Sequence, residues 1–246
     1  MPSYALYCQQ LPASPDWEAY LQANSGLPGP RGNLELARAA ADLGRREQFL
    51  RWLENTPERA PENTPGCFLA FCGVQGLGRL LSEGEKDWLP RLRDFAGDPR
   101  WRVRESVAIA LQRWGAVEMP ALLEEMTAWA VGSLLEQRAA VAALCEPALL
   151  KQPRDASVVL DLLDAITRRL PGQRGGDDFR VLRQALGYGW SVAAAALPQK
   201  GLACLEALAE LADQDSRWIF RENLKKNRLI RLDPAWAAAM QARVAD

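Results

Sequence analysis

The chain has 246 residues, 48% of them apolar, with 30 Lys and Arg against 31 Asp and Glu and a formal net charge of -1. That balance excludes a protein that coats nucleic acid through bulk charge, although a local basic face stays compatible with it. Histidine is absent, which removes Ser-His-Asp and Cys-His nucleophilic sites, His-ligated zinc and an imidazole general base.

Ala and Leu dominate the long segments and β-branched runs are few, so the pattern predicts an all-α protein. Residues 1–33 read as an N-terminal lead-in, a short helical or irregular stretch around Asp16-Trp17-Glu18-Ala19-Tyr20-Leu21. The Gly- and Pro-rich run from Gly26 to Gly32 closes it with a turn, and Asn33 is placed to cap a helix over 34–43. A helix over 45–55 and a break from Pro57 to Gly66 come next. Helices are then expected over 66–82, 87–96, 99–114, 119–131, 134–145, 155–170, 177–196, 200–212 and 216–229, with an Ala-rich cap from Pro234 onward. These segments assign 34–232 to one helical-repeat domain and 233–246 to a C-terminal cap.

Gly73-Val74-Gln75-Gly76-Leu77-Gly78 superficially resembles a nucleotide loop. It lacks the glycine spacing and the preceding strand that such a loop needs, so close helix approach or a local kink is the expectation. Gly187-Tyr188-Gly189-Trp190 reads the same way, or as a device that exposes Tyr188. The five cysteines are scattered without a CxxC pair and read as buried small hydrophobes in a reducing, cytoplasmic setting. No apolar run reaches membrane-spanning length, and the N-terminus lacks a basic segment followed by an apolar one.

The most informative pattern is a recurrence. Asp98-Pro99-Arg100-Trp101-Arg102-Val103-Arg104-Glu105 returns as Asp215-Ser216-Arg217-Trp218-Ile219-Phe220-Arg221-Glu222, a shared D-x-R-W-x-x-R-E. A copy so far downstream, with helical segments between, is what stacked helical hairpins leave in a sequence. Each aspartate stands where it can cap its own helix, and Pro99 where a helix tolerates a missing N–H. Val103, Val107, Ala110, Leu111 and Trp114 recur at three- and four-residue steps as one buried stripe.

On these residues the chain resembles the HEAT-repeat family, whose second helices begin with Asp, followed by Val-Arg and an Ala/Leu-rich stretch. The match lies at Asp98, Val103-Arg104 and Ala108-Ile109-Ala110-Leu111, whereas the later copy carries Phe220-Arg221 in place of the usual Val-Arg. The resemblance implies a right-handed helical-repeat solenoid over about 66–230, in which the Asp and Arg support packing between repeats. A more distant similarity is to bacterial DNA alkylation-repair glycosylases built from HEAT-like repeats, which present Trp, Arg and Asp on a concave basic surface. Trp101, Arg104, Trp218 and Arg221 supply suitable residue types, but no motif marks a catalytic Asp.

Arg217, Arg221, Lys225 and Arg228 fall on one face if 216–229 is a single helix, and Lys226 and Arg231 widen it. Arg100 and Arg104 belong to the matching zone of the earlier copy, and in a solenoid the two basic edges would join into one concave patch. Trp101 and Trp218 are the tryptophans whose neighbouring arginines suggest a stacking or anchoring role; the other seven read as core or inter-repeat packing. The sequence therefore points to a non-enzymatic scaffold that binds a macromolecular partner, a protein before a nucleic acid. Its candidate contacts are Arg100, Trp101, Arg104, Arg217, Trp218, Arg221, Lys225 and Arg228. A metal-independent DNA glycosylase is the alternative; no catalytic, cofactor or metal-binding set is assigned, and no membrane contact is expected.

Overall fold

The computed structural model describes residues 2–243; Met1 and residues 244–246, the end of the expected C-terminal cap, lie outside the described residues. The described residues are all-α, with fourteen α-helices, two short 3-10 turns and no strand. No helix among them is long and apolar enough to cross a membrane.

The chain divides into two compact units between Val117 and Glu118. The division falls inside the segment Trp101–Trp129 (α7), where Glu118 leaves helical geometry at φ -138 and ψ 64, two residues ahead of Pro120. Pro120 has no N–H to offer the carbonyl one turn earlier and its ring crowds that carbonyl, so the helix kinks there.

The first unit holds α1 (Tyr4–Ala13), α2 (Trp17–Ala23), α3 (Leu34–Leu43), α4 (Arg46–Trp52), α5 (Pro65–Ser82), α6 (Leu89–Ala96) and the first part of α7. Asn33 caps α3 as expected, accepting the Leu36 N–H, and Asp16 and Thr64 act likewise, accepting the Ala19 N–H and, ahead of Pro65, the Cys67 N–H. Helix α1 was not legible as an element, because its apolar pattern is weak: Tyr7 and Leu11 are buried while Leu6 stays exposed. Those two side chains nonetheless bind the lead-in to the unit, and the Tyr7 hydroxyl accepts from Asn33 Nδ2 at 2.6 Å.

Helix α5 is the centre of this unit. It packs on α2, α3, α4 and α6, and its glycines set how closely. A Cβ on Gly76 would lie 2.2 Å from the Phe49 ring, and one on Gly78 would lie 2.5 Å from the Ala110 Cα on α7. The glycine run is thus a packing surface, as its lack of nucleotide-loop spacing implied. Cys67 and Cys72 are buried on the same helix, and desolvation pushes the Cys67 thiol up to about 11 and the Cys72 thiol well above its usual range.

The second unit holds the later part of α7, α8 (Leu134–Leu144), α9 (Pro153–Arg169), α10 (Gly176–Ala196), α11 (Pro198–Ala209), α12 (Gln214–Leu224), α13 (Asn227–Leu232) and α14 (Pro234–Arg243). Ser133 and Glu136 form a reciprocal capping box at the start of α8. Helix α10 is central here, packing on α8, α9, α11, α12 and α13. Gly187 receives the Trp218 ring, where a Cβ would sit 3.0 Å away, and Gly189 faces Val141 and the Cys145 Sγ. Trp190, fully buried on α10, donates from Nε1 to Thr167 Oγ1 at 3.1 Å. With Trp52, Trp114 and Trp129 it forms the set of fully buried tryptophans, as the core reading expects, whereas Trp17, Trp88 and Trp236 are only half-buried.

Gly78→Val should lower stability by about 3 kcal/mol, the upper end of an overpacking penalty, because its neighbour is backbone and cannot yield. Gly97→Ala, whose Cβ would meet only the Asp94 carbonyl at 3.5 Å, should stay within about 0.5 kcal/mol of the parent. Chemical denaturation of both variants measures the contrast.

Candidate functional site

The two copies of D-x-R-W-x-x-R-E do not build the same local structure. In the first, α7 begins at Trp101 and Asp98 stays outside the helix. Its carboxylate accepts the Arg100 backbone N–H at 2.8 Å, Arg100 Nε at 2.9 Å and Arg100 Nη2 at 2.7 Å. Arg100 Nη1 also donates to the carbonyls of Asn55 and Ala60. Arg100 is 3% exposed and Asp98 7%, so this candidate contact is a buried structural pair; its donors are spent inside the first unit.

In the later copy α12 begins at Gln214, and the cap is Asp213, which accepts the Ser216 N–H at 2.8 Å and the Ser216 hydroxyl at 3.0 Å. Asp215 therefore lies in the first helical turn rather than at the cap the sequence suggested. Two differences cause this. Asp213 has the Ser216 N–H to capture, whereas the matching position of the first copy is Ala96, which has no carboxylate, and Pro99 has no N–H and also keeps Asp98 out of helical geometry. Freed from capping, Asp215 accepts from Arg174 Nε at 2.7 Å and Arg183 Nη1 at 2.6 Å. Burial pushes its carboxyl up, but the hydrogen bonds from Arg174 and Arg183 outweigh that and hold it below the usual carboxylate range. Arg217, the counterpart of buried Arg100, is exposed.

Both octet tryptophans carry a guanidinium on the ring face, Arg102 over Trp101 and Arg183 over Trp218, each 4.4 Å from the centroid. Trp101 is 45% exposed and Trp218 half-buried against Gly187. Arg102 is itself held by Glu62 and the Gly29 carbonyl. Arg104 folds back onto the carbonyls of Asp98 and Pro99. The first octet thus organises the start of its own helix.

The expected single helix over 216–229 is interrupted. Helix α12 ends at Leu224 and α13 starts at Asn227, so Lys225 and Lys226 occupy the junction. Leu224 and Leu229 are both buried, yet on one continuous helix they would point about 140° apart. Breaking the helix lets both reach the core. Asn223 fixes the end of α12 to α10: it accepts the Ser191 N–H at 2.8 Å and donates to the Leu186 carbonyl at 3.0 Å. Arg217 and Arg221 remain exposed on α12, apart from this junction in sequence.

The junction instead forms the rim of a cleft of about 710 Å³ in the second unit. Lys225, Lys226, Asn227, Arg228 and Arg231 supply its polar lining, and Pro147, Leu150, Val192, Ala195 and Ala196 form the apolar remainder. No carboxylate lines it. Beside it Tyr188, 47% exposed, takes a hydrogen bond on its hydroxyl from Arg228. The Arg228 guanidinium lies 4.7 Å from the Tyr188 ring centroid and Lys226 Nζ 5.8 Å from it. Lys225 pairs with Glu222. Two of the sequence candidates, Lys225 and Arg228, therefore come together, with Lys226 and Arg231 as their anticipated flanks. The apolar residues had no sequence signal as site residues, since 147–150 and 192–196 reach the cleft only through tertiary packing. No cluster able to hold a metal ion exists among the described residues.

The unequal octets are testable at matched positions. Arg100→Ala leaves the Asp98 carboxylate buried without its partner and should cost about 3–5 kcal/mol. Arg217→Ala should change stability by no more than about 0.5 kcal/mol; denaturant midpoints compare the two. Asp215 also fixes a pH dependence. Its depressed folded pKa makes its contribution complete above the ordinary carboxylate value of about 4, and that contribution is lost as pH falls through the folded value. Asp215→Asn should therefore flatten the stability profile of acid denaturation below about pH 4.

No family model matches the chain, and no curated protein matches it.

Proposed function

We propose that the chain is a non-catalytic binding protein of HEAT-like helical hairpins that holds an anionic macromolecular partner in the basic cleft of its second unit. The observation that carries this reading is the lining of that cleft: four cationic side chains, no carboxylate, and an aliphatic remainder. Clefts lined by one sign of charge concentrate ligands of the other sign, and cationic side chains around about 710 Å³ give an anion several simultaneous partners.

The hairpin reading is supported by the return of the octet and by contact between successive helices, α8 with α9, α9 with α10, α10 with α11 and α11 with α12. The glycosylase alternative has less support. Asp98 and Asp215, the carboxylates attached to the repeated motif, are both buried against arginines, which leaves neither poised to meet a developing positive charge. The free cysteines accord with a reducing compartment such as the cytoplasm.

Fluorescence anisotropy with polyglutamate and with a single-stranded oligonucleotide, across a salt series, tests the cleft as an anion site. Binding should weaken as salt rises and fall at least about tenfold in the double variant Arg228→Glu and Arg231→Glu, with an unchanged thermal melt. Equal binding by parent and variant would remove the cleft from the reading.

A further inference from the structure

We infer that the occupant of the cleft is a segment of a partner protein in which acidic residues flank an aliphatic side chain; this rests on reading the cleft as an anion site. The apolar lining is entirely aliphatic. Val192, Ala195 and Ala196 follow one another at i, i+3 and i+4 along the end of α10, so they form a single stripe on that helix. Pro147 and Leu150, from the turn after α8, complete the apolar lining. Leu150 and Val192 are buried at 3% and 2% exposure, whereas Ala195 and Ala196 are half-buried. Small side chains at the accessible positions leave room for a partner's aliphatic group to lie on the stripe.

The chemistry discriminates between partner classes. Single-stranded nucleic acid is held by cations along the backbone together with aromatic faces for the bases. No aromatic side chain lines the cleft, and the neighbouring Tyr188 ring already carries Arg228 and Lys226. An acidic peptide needs what is present. Arg228 and Arg231 offer planar forks to carboxylates, Lys226 adds a point charge, and the stripe takes the apolar residue. Arg231 is exposed and enters no ion pair among the described residues, while Lys225 is partly neutralised by Glu222. Partner carboxylates therefore fall to Lys226, Arg228 and Arg231.

The test compares three labelled probes on the full chain by fluorescence anisotropy at low salt. They are a short Asp/Glu peptide with two central leucines, the same peptide with serines in their place, and a single-stranded oligonucleotide of equal charge. The leucine peptide should bind at least about tenfold more tightly than the serine peptide, as burial of aliphatic side chains requires. It should also bind more tightly than the oligonucleotide. Ala195→Trp, which fills the stripe at a half-buried position, should erase the leucine advantage while leaving the serine peptide's affinity in place. Arg228→Glu with Arg231→Glu should weaken both peptides. Equal affinity for the two peptides, tighter binding of the oligonucleotide, or a leucine advantage that survives Ala195→Trp overturns the peptide inference and leaves the anion site standing. No binding of any probe overturns both readings.

Discussion

Each unit depends on one helix that lets its neighbours come closer than a side chain would permit. In α5 the limiting distances are those from Gly76 to the Phe49 ring and from Gly78 to the Ala110 backbone; in α10 they are those from Gly187 to Trp218 and from Gly189 to Cys145. Glycine inside a helix costs about 1 kcal/mol relative to alanine, so these notches are favourable only because tertiary packing returns more. What they make possible is burial around the whole circumference of a helix. In α5 that extends to Gln75 and three glycines in an otherwise apolar run. The cleft uses the same helix, since α10 supplies both the buried centre of its unit and the aliphatic stripe at its accessible end.

A second theme is that charge inside the units is neutralised locally. Asp98 meets Arg100; Asp215 meets Arg174 and Arg183; Asp42 gathers the Tyr4 hydroxyl and Arg113. Arg79 donates to three carbonyls around the end of α3, at residues 41, 42 and 44, satisfying acceptors that a helix C-terminus leaves open. Arginines thus divide into those that complete the architecture and those that remain at the surface. Charge patterning alone cannot make that division, because Arg100 and Arg217 occupy the same place in the same motif.

That pair of residues shows how far the sequence could be read. The helical class, most element positions and the packing role of the glycine run follow from periodicity, caps and breakers, which are local. Helix α1 escaped because it buries so few side chains. The site was half legible: Lys225 and Arg228 stood out as charge, and Tyr188 stood out between glycines. The interruption after Leu224 did not, because it arises from the competing demands of Leu224, Leu229 and Asn223 on one core. Nor did the difference between the octets, which turns on a position outside the motif, Asp213 in the later copy against Ala96 in the first, as well as on the N–H that Ser216 has and Pro99 lacks.

The absence of histidine acquires a further meaning once the thiols are placed. Burial raises Cys67 to about 11 and Cys145 to about 12, and Cys72 and Cys204 also shift upward. Asp215 shifts the other way, further from neutrality, and arginine keeps its charge throughout. With histidine, the side chain that ordinarily titrates across the physiological range, missing from the chain, the basic rim has no built-in acid sensor. For the proposed acidic partner, control over occupancy would fall to ionic strength and to the partner's charge, so covalent addition or removal of acidic groups on it would be the place for a switch.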